Sequence, residues 1–466
     1  MSINIDKTLL GEDGSIPVKV IIKCIEKHNS EVARLQKLKD YYDGDHAINS
    51  RTFSNSYIPN NKIVCNHASY IVNIILGYLF GAPISYVGDN LDKLIDLYTK
   101  IDEDSHNARL GEDINIYGVG YELVYMDEEA QPDLAVLSPI NTFLVKDDTV
   151  RGNSLFAVTY SEKRDIDNQL KGYNVVVYTD TTITTYLFKN LTDTAPELVS
   201  EEPHYFGGIP IIEYKNNSGS TGSFEPVISL IDAYNKLQSD RLNDKEQLVD
   251  AFLVLTGQTL GDNVEEISET LNYLREQKVI ELDENGKAEW LVKSLSEDQC
   301  EVLKDSLKKD IHEFCLVPCL TDENFVGNAS GVSLKYKLIG FESICKIKER
   351  YFKKGLRKRL ELINNIYTIL ANSIDVSAID IIMTRTLPID EAERVSVLAQ
   401  TDGLLSYETR IRRFDEELDP AEEQERLKEE KLNNVKIQQE AFAGYDFNNV
   451  NNTNNTNEEA DVNEEE

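Results

Sequence analysis

Three side chains in this sequence have the types and the spacing of a metal site. His312, Cys315 and Cys319 recur at i, i+3 and i+7, so they would share one face of a helix. Imidazole and thiolate groups are ligands that zinc prefers, so the trio could hold zinc if a fourth ligand joined it. That ligand is missing, and Pro318 interrupts the helix before Cys319. Because free cysteines usually behave as small apolar residues, packing is the favoured interpretation and no metal site is predicted.

Signals for catalysis are weak. The pair Asp147-Asp148 could supply catalytic carboxylates, but with 82 acidic residues in the chain chance proximity explains the pair better. The sequence has no Walker A motif, no Gly-x-Gly-x-x-Gly after a strand, no His-Glu-x-x-His and no Gly-x-Ser-x-Gly. We therefore predict no enzyme and no bound cofactor.

A basic stripe is the clearest charge pattern. Residues 335–359 hold ten Lys or Arg against two Glu, and Lys346, Arg350, Lys353 and Arg357 recur at helical spacing. Such a face could contact phosphates. It could also be solvated, or pair with acidic groups of the same chain or of a neighbouring copy. Pairing within the protein is favoured, because charged helix faces usually form such pairs.

Length and composition limit the classes of protein. A chain of 466 residues exceeds the size at which one hydrophobic core stops growing, so two or more substructures are expected. The net charge of −34 opposes tight binding of nucleic acid over the whole surface. The longest apolar run, residues 71–80, is too short to span a bilayer, and no signal peptide is evident, so we expect no membrane contact and a cytoplasmic product.

One long polar helix is predicted from Phe224 to Leu255. Its 32 residues would reach about 48 Å. Between Asn235 and Gln247 only two residues are apolar, so this part cannot lie in an ordinary core. Such a helix must bridge domains, line water or pack against copies of itself.

The elements that surround this helix predict an α+β chain. Amphipathic helices are expected at residues 17–42 and 68–80, followed by a mostly antiparallel sheet over residues 117–214. After the long helix, a helix at 264–277 and a hairpin turning at 283–286 form a small module, and a second long helix runs to Val317. Residues 319–332 form a loop, and one helix of about 40 residues follows from Ser333 to Asn372. The C-terminal part is helical, and the acidic tail after residue 445 is disordered.

The order of these parts resembles the portal proteins, or head-to-tail connectors, of tailed bacteriophages, in the siphophage type from phages of Gram-positive hosts. The resemblance is carried by short collinear motifs at residues 41–44, 59–64, 77–83, 116–122, 137–143, 211–233, 330–337 and 405–409. Each motif alone is weak, but together they span nearly the whole chain.

The resemblance implies a portal fold with an α/β wing, long stem helices, a small α/β clip, a tunnel loop and a helical crown. The implied parts are the wing (1–223), first stem helix (224–255), clip (256–295), second stem helix (296–318), tunnel loop (319–332), long helix returning to the wing (333–373), crown (374–445) and acidic tail (446–466).

The resemblance also implies partners and candidate sites. A ring of probably twelve subunits would stand at one capsid vertex of a virion assembled in the host cytoplasm, and double-stranded DNA would pass through its channel. The large terminase, a head-completion adaptor, and the major capsid and scaffolding proteins would be its partners. The implied channel residues are Asn324, Phe325, Val326, Gly327, Asn328, Ala329, Ser330, Lys335 and Lys337. The implied docking residues of the clip are Glu265, Glu266, Asp283, Glu284, Asn285, Gly286 and Trp290.

Two alternatives stay open at this point. Another phage structural ring or accessory protein would share the acidity but lack the order of helix, module, helix and loop. A metal-dependent hydrolase could use the many carboxylates, but no constellation in the sequence supports it.

Overall fold

The computed structural model describes residues 3–12, 14–54, 59–249, 252–256, 263–277, 286–291, 297–320, 336–370, 372–386, 400–401, 403–414 and 420–443. The chain divides into a first unit, Met1–Leu387, and a second unit, Pro388–Glu466. None of the described helices is long and apolar enough to cross a membrane.

The first unit contains both helices and strands, and the described part of the second is mostly helical. The helices are α1 Val18–Asp43, α2 His67–Phe80, α3 Asp92–Lys100, α4 Glu103–Tyr117, α5 Ile228–Val249, α6 Val264–Gln277, α7 Glu297–Cys315, α8 Ile339–Ile369, α9 Tyr407–Phe414 and α10 Pro420–Ala443. The strands are β1 Ile3–Ile5, β2 Ile84–Val87, β3 Val119–Met126, β4 Pro132–Leu137, β5 Thr142–Asp147, β6 Ser154–Arg164, β7 Leu170–Tyr178, β8 Thr182–Phe188, β9 Glu197–Pro203, β10 Ile211–Lys215, β11 Phe252–Thr256, β12 Lys287–Leu291 and β13 Asp380–Met383.

Apart from β11 and β12, the described strands form a six-stranded sheet, a three-stranded sheet and a two-stranded ribbon. Their orders are β1-β5-β6-β7-β8-β9, β10-β3-β4 and β13-β2. Every ladder in them is antiparallel except β1 with β5. The predicted α+β class and the mostly antiparallel sheet over residues 117–214 are confirmed.

Helix α1 covers one face of the six-stranded sheet. Ile21 and Ile25 are fully buried and pack in one cluster with Phe143, Phe156 and Val175 of the sheet. They are residues of the apolar face that predicts this helix. The helix ends at Gly44, which has a φ of 91° and so takes the left-handed conformation that closes many helices.

Helix α8 crosses two cores of the first unit. Near its start, Phe341 and Cys345 pack in a cluster with α2, α5 and α7. Further along, Phe352 and Leu356 pack in a second cluster with the β3–β10 sheet. Gly355 permits this approach, because a Cβ at that position would lie 2.2 Å from the ring of Tyr214. A single helix therefore joins the sheet to the helical part of the unit.

The second of these cores contains a buried arginine. The Arg359 side chain has no exposed surface, and its Nε donates to Glu122 Oε2 at 3.0 Å. Its two terminal nitrogens reach Glu103 Oε1 at 2.6 Å, Glu122 Oε1 at 2.5 Å and Asn107 Oδ1 at 2.8 Å. The guanidinium thus links α8 to α4 and β3 through bonds that saturate most of its donors.

Further partners satisfy the two carboxylates. The Tyr214 hydroxyl donates to Glu122 at 2.8 Å, and His106 lies 2.7 Å from the other oxygen of Glu122. Burial alone would raise the pKa of Glu122, but the charge of Arg359 and the contact with His106 lower it to about 2. The Glu122 carboxylate is therefore ionised at neutral pH inside the protein.

Three predicted helices differ from the structure in length. The first stem helix ends at Val249, and the apolar run Phe252–Thr256 is a strand, because it pairs in antiparallel register with Lys287–Leu291. The second stem helix ends at Cys315, where Leu316 takes a φ of 55°. Of the long helix predicted from Ser333 to Asn372, the structure describes a helical turn at residues 336–337 and the helix Ile339–Ile369, while residues 333–335 lie outside the described residues.

The predicted start of the crown at residue 374 also differs from the structure. Residues 374–383 belong to the first unit, because β13 pairs with β2. Ile374, Ile379 and Ile381 are buried in the same core as Leu356. The second unit begins only at residue 388, and its described part is largely the helices α9 and α10.

Replacing Arg359 with Met should lower the free energy of unfolding by about 3–5 kcal/mol, because two buried carboxylates lose their counter-charge. The midpoint of urea unfolding, followed by circular dichroism at fixed protein concentration, measures this change. Arg350→Met is the matched control, since Arg350 is an exposed residue of the same helix and its replacement should change stability by less than about 0.5 kcal/mol. Equal effects of the two substitutions would contradict the role assigned to Arg359.

Candidate functional site

The polar middle of α5 pairs with an extended segment of the chain. Asn235, Ser239 and Asn243 lie at i, i+4 and i+8, and all three are buried. Their side chains accept hydrogen bonds from three backbone N–H groups of residues 60–66, which run alongside the helix. The bonds are Cys65 N to Asn235 Oδ1 at 2.8 Å, Ile63 N to Ser239 Oγ at 2.9 Å and Asn61 N to Asn243 Oδ1 at 2.8 Å.

The spacing of the two partners explains this arrangement. Four residues of an α-helix rise about 6 Å, and two residues of an extended chain rise about 6.6 Å. Every second N–H of the extended segment therefore meets every fourth residue of the helix, with the two chains running in opposite directions. We call this set of bonds the helix–strap pairing, the strap being residues 60–66.

The helix–strap pairing corrects the prediction made for α5. The prediction was that the polar middle of the helix contacts water, another domain or another copy of the chain. The structure instead buries one polar stripe against the chain's own backbone. Three N–H groups of the strap thereby gain acceptors without joining a β-sheet.

Ion pairs and tyrosine bonds surround the same helix. Arg51 donates to Asp240 at 2.6 Å, and the Tyr41 hydroxyl donates to Asp232 at 2.7 Å. Asn235 Nδ2 donates to His46 Nδ1 at 2.8 Å, so that nitrogen of the imidazole is the acceptor. The N-terminal segments thus hold α5 along most of its length.

Helix α7 lies beside α5. Ile231 of α5 and Ile311 of α7 are fully buried in one apolar cluster, and Arg241 pairs with Glu301 at 2.8 Å. The two helices therefore form a pair that is apolar near the start of α5 and charged further along.

Two of the candidate zinc ligands, His312 and Cys315, form hydrogen bonds at the C-terminal end of α7. His312 Nδ1 lies 3.0 Å from the carbonyl of Val317, and Cys315 Sγ donates to the carbonyl of His312 at 3.7 Å. Burial raises the pKa of the Cys315 thiol to about 11, so the thiolate that zinc needs is disfavoured. In the part of the chain that the structure describes, no group of three His, Cys, Asp or Glu side chains is placed to hold a metal ion.

Asp147 has a similar local role. Thr149 Oγ1 donates to its carboxylate at 2.6 Å, and the backbone and side-chain N–H groups of Asn153 donate at 2.9 Å. These bonds, that of Thr149 first, lower the pKa of Asp147. The carboxylate closes the loop between β5 and β6.

A buried lysine joins α8 to the connection between β10 and α5. The ammonium group of Lys348 donates to Asn115 Oδ1 at 3.1 Å, to Ser223 Oγ at 2.8 Å and to the side-chain oxygen of Asn216. All three acceptors are neutral, so the charge of Lys348 has no carboxylate partner in this contact set. Burial lowers its pKa to about 8.

Both sides of the predicted tunnel loop are anchored to one core. At its start, the Tyr70 hydroxyl accepts from Leu320 N at 2.9 Å, and Val317, just before the loop, is buried. After it, Leu338 is buried in the same cluster as Val317. The described residues on both sides of the predicted loop therefore belong to the core that contains α5, α7 and the start of α8.

The comparisons with known proteins identify the family. Residues 21–436 of the chain match the model of a family described as phage portal protein, SPP1 Gp6-like. The chain belongs to this family of phage portal proteins. Its function is that of a portal, the connector at the capsid vertex, and it is a structural component of the virion and not an enzyme.

Two curated relatives and two solved structures are similar to this portal. The portal protein of Bacillus phage SPP1 is 24% identical over 445 residues, covering 88% of this chain and 86% of the relative. The portal protein of Clostridium phage phiCD119 is 23% identical over 400 residues, covering 81% and 86%. Chains from the virion of a native gene transfer agent particle and from its neck, computed with C12 symmetry, are each 14% identical. They have TM-scores of 0.45 and 0.41, with 82% and 74% of this chain and 92% and 88% of the other covered.

The structure describes one of the predicted channel residues of this portal. Lys337 is an exposed residue of the helical turn that precedes α8. The others lie outside the described residues and stay predictions: Asn324, Phe325, Val326, Gly327, Asn328, Ala329, Ser330 and Lys335.

The predicted clip residues are described in part. Glu265 and Glu266 are exposed in the first turn of α6, where Asn263 Oδ1 accepts from Glu266 N at 2.9 Å and its amide donates to the Glu266 carboxylate at 3.0 Å. Gly286 precedes β12, and Trp290 lies opposite Leu253 in the β11–β12 ladder. The predicted turn residues Asp283, Glu284 and Asn285 and the strand proposed before them lie outside the described residues.

The basic stripe of the portal is partly neutralised within its own helix. Lys346 lies 3.7 Å from Glu342, and Lys353 lies 2.6 Å from Glu349, each pair one turn apart. The other two members are exposed and make no ion pair within the described ranges: Arg350 and Arg357. The prediction of pairing within the protein therefore holds for half of the stripe.

Replacing Ser239 with Val should lower the free energy of unfolding by about 1–3 kcal/mol, because Ile63 N loses its acceptor. Hydrogen exchange of residues 60–66 and the midpoint of urea unfolding measure the effect, and exchange in the strap should accelerate. Lys236→Met, an exposed change on the same helix, should leave both unchanged. Unaltered exchange in Ser239→Val would show that the strap does not depend on this bond.

The stability contributed by Lys348 should depend on pH. Its folded pKa of about 8 lies below the ordinary 10.5, so between these values the unfolded chain binds more protons and stability rises with pH. From pH 7 to pH 10, the difference in melting temperature between the wild type and Lys348→Met should move in favour of the wild type. The melting temperature of Lys346→Met, a change at an exposed position, should vary with pH as that of the wild type does. A difference that stays constant with pH would contradict the lowered pKa.

Proposed function

We propose that this portal protein forms a ring of about twelve copies through a repeated heterologous interface, and that double-stranded DNA passes through the central channel during packaging and ejection. The observation that carries the proposal is the family match over residues 21–436, which contains the helix pair, the small module between its helices and the long return helix.

Exposed apolar side chains on the helix pair support assembly into a ring. Val302, Leu303 and Phe314 of α7 are 71%, 49% and 67% exposed, and Leu242 of α5 is 36% exposed. The polar stripe of α5 is occupied by the strap, so these apolar positions are left for other partners. A neighbouring copy that covers them would remove apolar surface from water.

The acidity of the chain supports a role as a conduit. A net charge of −34 repels phosphates, so DNA can slide along the channel wall without adhering to it. Lys335 and Lys337 would then make sparse, transient phosphate contacts, and residues Asn324 to Ser330 would form the moving tunnel loop. Anchored chain on both sides of this loop would confine movement to it.

The small module between α5 and α7 is proposed as the clip. It would dock the large terminase during packaging and a head-completion adaptor afterwards, through Glu265, Glu266, Gly286, Trp290 and the turn before Gly286. We further propose that the wing and crown contact the capsid and scaffolding proteins, and that assembly takes place in the host cytoplasm.

Purified protein should form rings with a central hole. Class averages from electron microscopy should show about twelve repeats, and light scattering should give the mass of about twelve chains, since a closed heterologous interface fixes the number of copies. Measurement at several salt concentrations serves as the control. A monomer or a two-fold dimer under all conditions would overturn the proposal.

A further inference from the structure

A basic cleft lies between α8 and the sheets of the first unit. Its volume is about 800 Å³, and it is lined by residues from β5, β10, the start of β6 and the middle of α8. Five basic side chains line it against three acidic ones. The basic ones are Lys146, Lys215, Lys354, Arg357 and Lys358, and the acidic ones are Asp180, Glu213 and Glu361.

Part of this charge is neutralised inside the cleft. Lys146 and Lys215 lie 2.5 Å and 3.8 Å from Glu213, and Lys358 lies 3.0 Å from Glu361. Lys354 and Arg357 are both exposed and have no ion pair in the described part of the chain. They give the cleft an unpaired positive charge in a protein whose net charge is −34.

The far edge of the six-stranded sheet has the opposite character. Strand β9 is an edge strand of this sheet, so within the described residues its outer backbone groups have no strand partner. Its sequence carries three exposed carboxylates, Glu197, Glu201 and Glu202, and the apolar side chains of Leu198 and Val199, which are 54% and 55% exposed. An uncovered edge with apolar side chains is a surface that proteins usually protect or use for pairing.

We propose that the basic cleft receives the acidic β9 edge of the neighbouring copy in the ring. The inference rests on the proposed ring and assigns two surfaces to its interface. Charge complementarity selects the occupant, because Lys354 and Arg357 lack counter-charges and β9 presents three carboxylates. The two surfaces are different, since the cleft is lined mainly by β5, β10 and α8 and the edge belongs to β9. This is what a head-to-tail ring requires.

Nucleic acid fits the cleft less well. Phosphate binding along a duplex needs basic groups spread over a long surface, whereas two unpaired cations converge here in a confined space among acidic side chains. A copy of the same chain also brings its carboxylates to this position at every interface of the ring.

Charge reversal on each surface tests the contact. Lys354→Glu with Arg357→Glu, and separately Glu201→Lys with Glu202→Lys, should each raise the protein concentration needed for ring formation about tenfold or more, because like charges then face each other. The chain that carries all four changes should form rings again at nearly the wild-type concentration. Mass photometry at physiological salt measures the ring fraction.

Mixing gives a second, independent readout. The cleft variant has two acidic surfaces and the edge variant has two basic ones, so an equal mixture should form alternating rings where neither variant does alone. Arg350→Glu, on the same helix outside the cleft, and Glu128→Lys, on the exposed turn between β3 and β4, are matched controls that should assemble as the wild type does.

The outcomes separate the interface from the proposed function. If the wild type forms no ring, the proposed ring fails before any variant is made. If the wild type forms rings and the reversed variants assemble equally well, or the fourfold variant and the mixture do not recover, the two surfaces do not meet. Loss of DNA binding with unchanged assembly in the cleft variant would likewise overturn the proposal and assign the cleft to phosphate.

Discussion

The ion cluster around Arg359 is the interaction on which the first unit depends. It places a charged side chain with no exposed surface between Glu122 of the three-stranded sheet and Glu103 of α4. An ionised buried pair is stable only when hydrogen bonds satisfy its remaining atoms, and Asn107 and Tyr214 supply such bonds here. The cluster therefore fixes the rotation of α8 about its axis, and with it the face that each residue of this helix presents.

That fixed rotation connects the sheets of the first unit to the helix pair α5 and α7. With Arg359 directed into the sheet, Lys348 is directed toward the connection that leads into α5, and Phe341 packs with α5 and α7. The exposed residues Lys354 and Arg357 then lie along the cleft. One helix thus sets the position of the helix pair α5 and α7 and of the cleft proposed for assembly.

Much of the architecture follows from local sequence patterns, and the rest depends on contacts between distant segments. The helices α1, α2 and α6 and the antiparallel sheet are correctly predicted because apolar periodicity and β-branched runs determine them locally. The end of α5 is not correctly predicted, because Phe252–Leu255 becomes a strand only by pairing with residues more than thirty positions away. The burial of Arg359 and the strap on α5 are hidden for the same reason, although the i, i+4, i+8 spacing of Asn235, Ser239 and Asn243 is a visible signal. The candidate channel residues Asn324 to Ser330 stay predictions.

The helix–strap pairing has a mechanical consequence for α5. Sliding α5 by one residue along its axis would put, at the levels of Asn235, Ser239 and Asn243, side chains that point about 100° away, so all three hydrogen bonds to the strap would break together. Such a contact resists small displacements and yields only in one cooperative step. Because the strap leads directly into α2, axial load or torque on α5 is transmitted to the N-terminal helices as to a rigid body. We therefore expect elastic deformation of this portal to occur outside the contact between α5 and the strap.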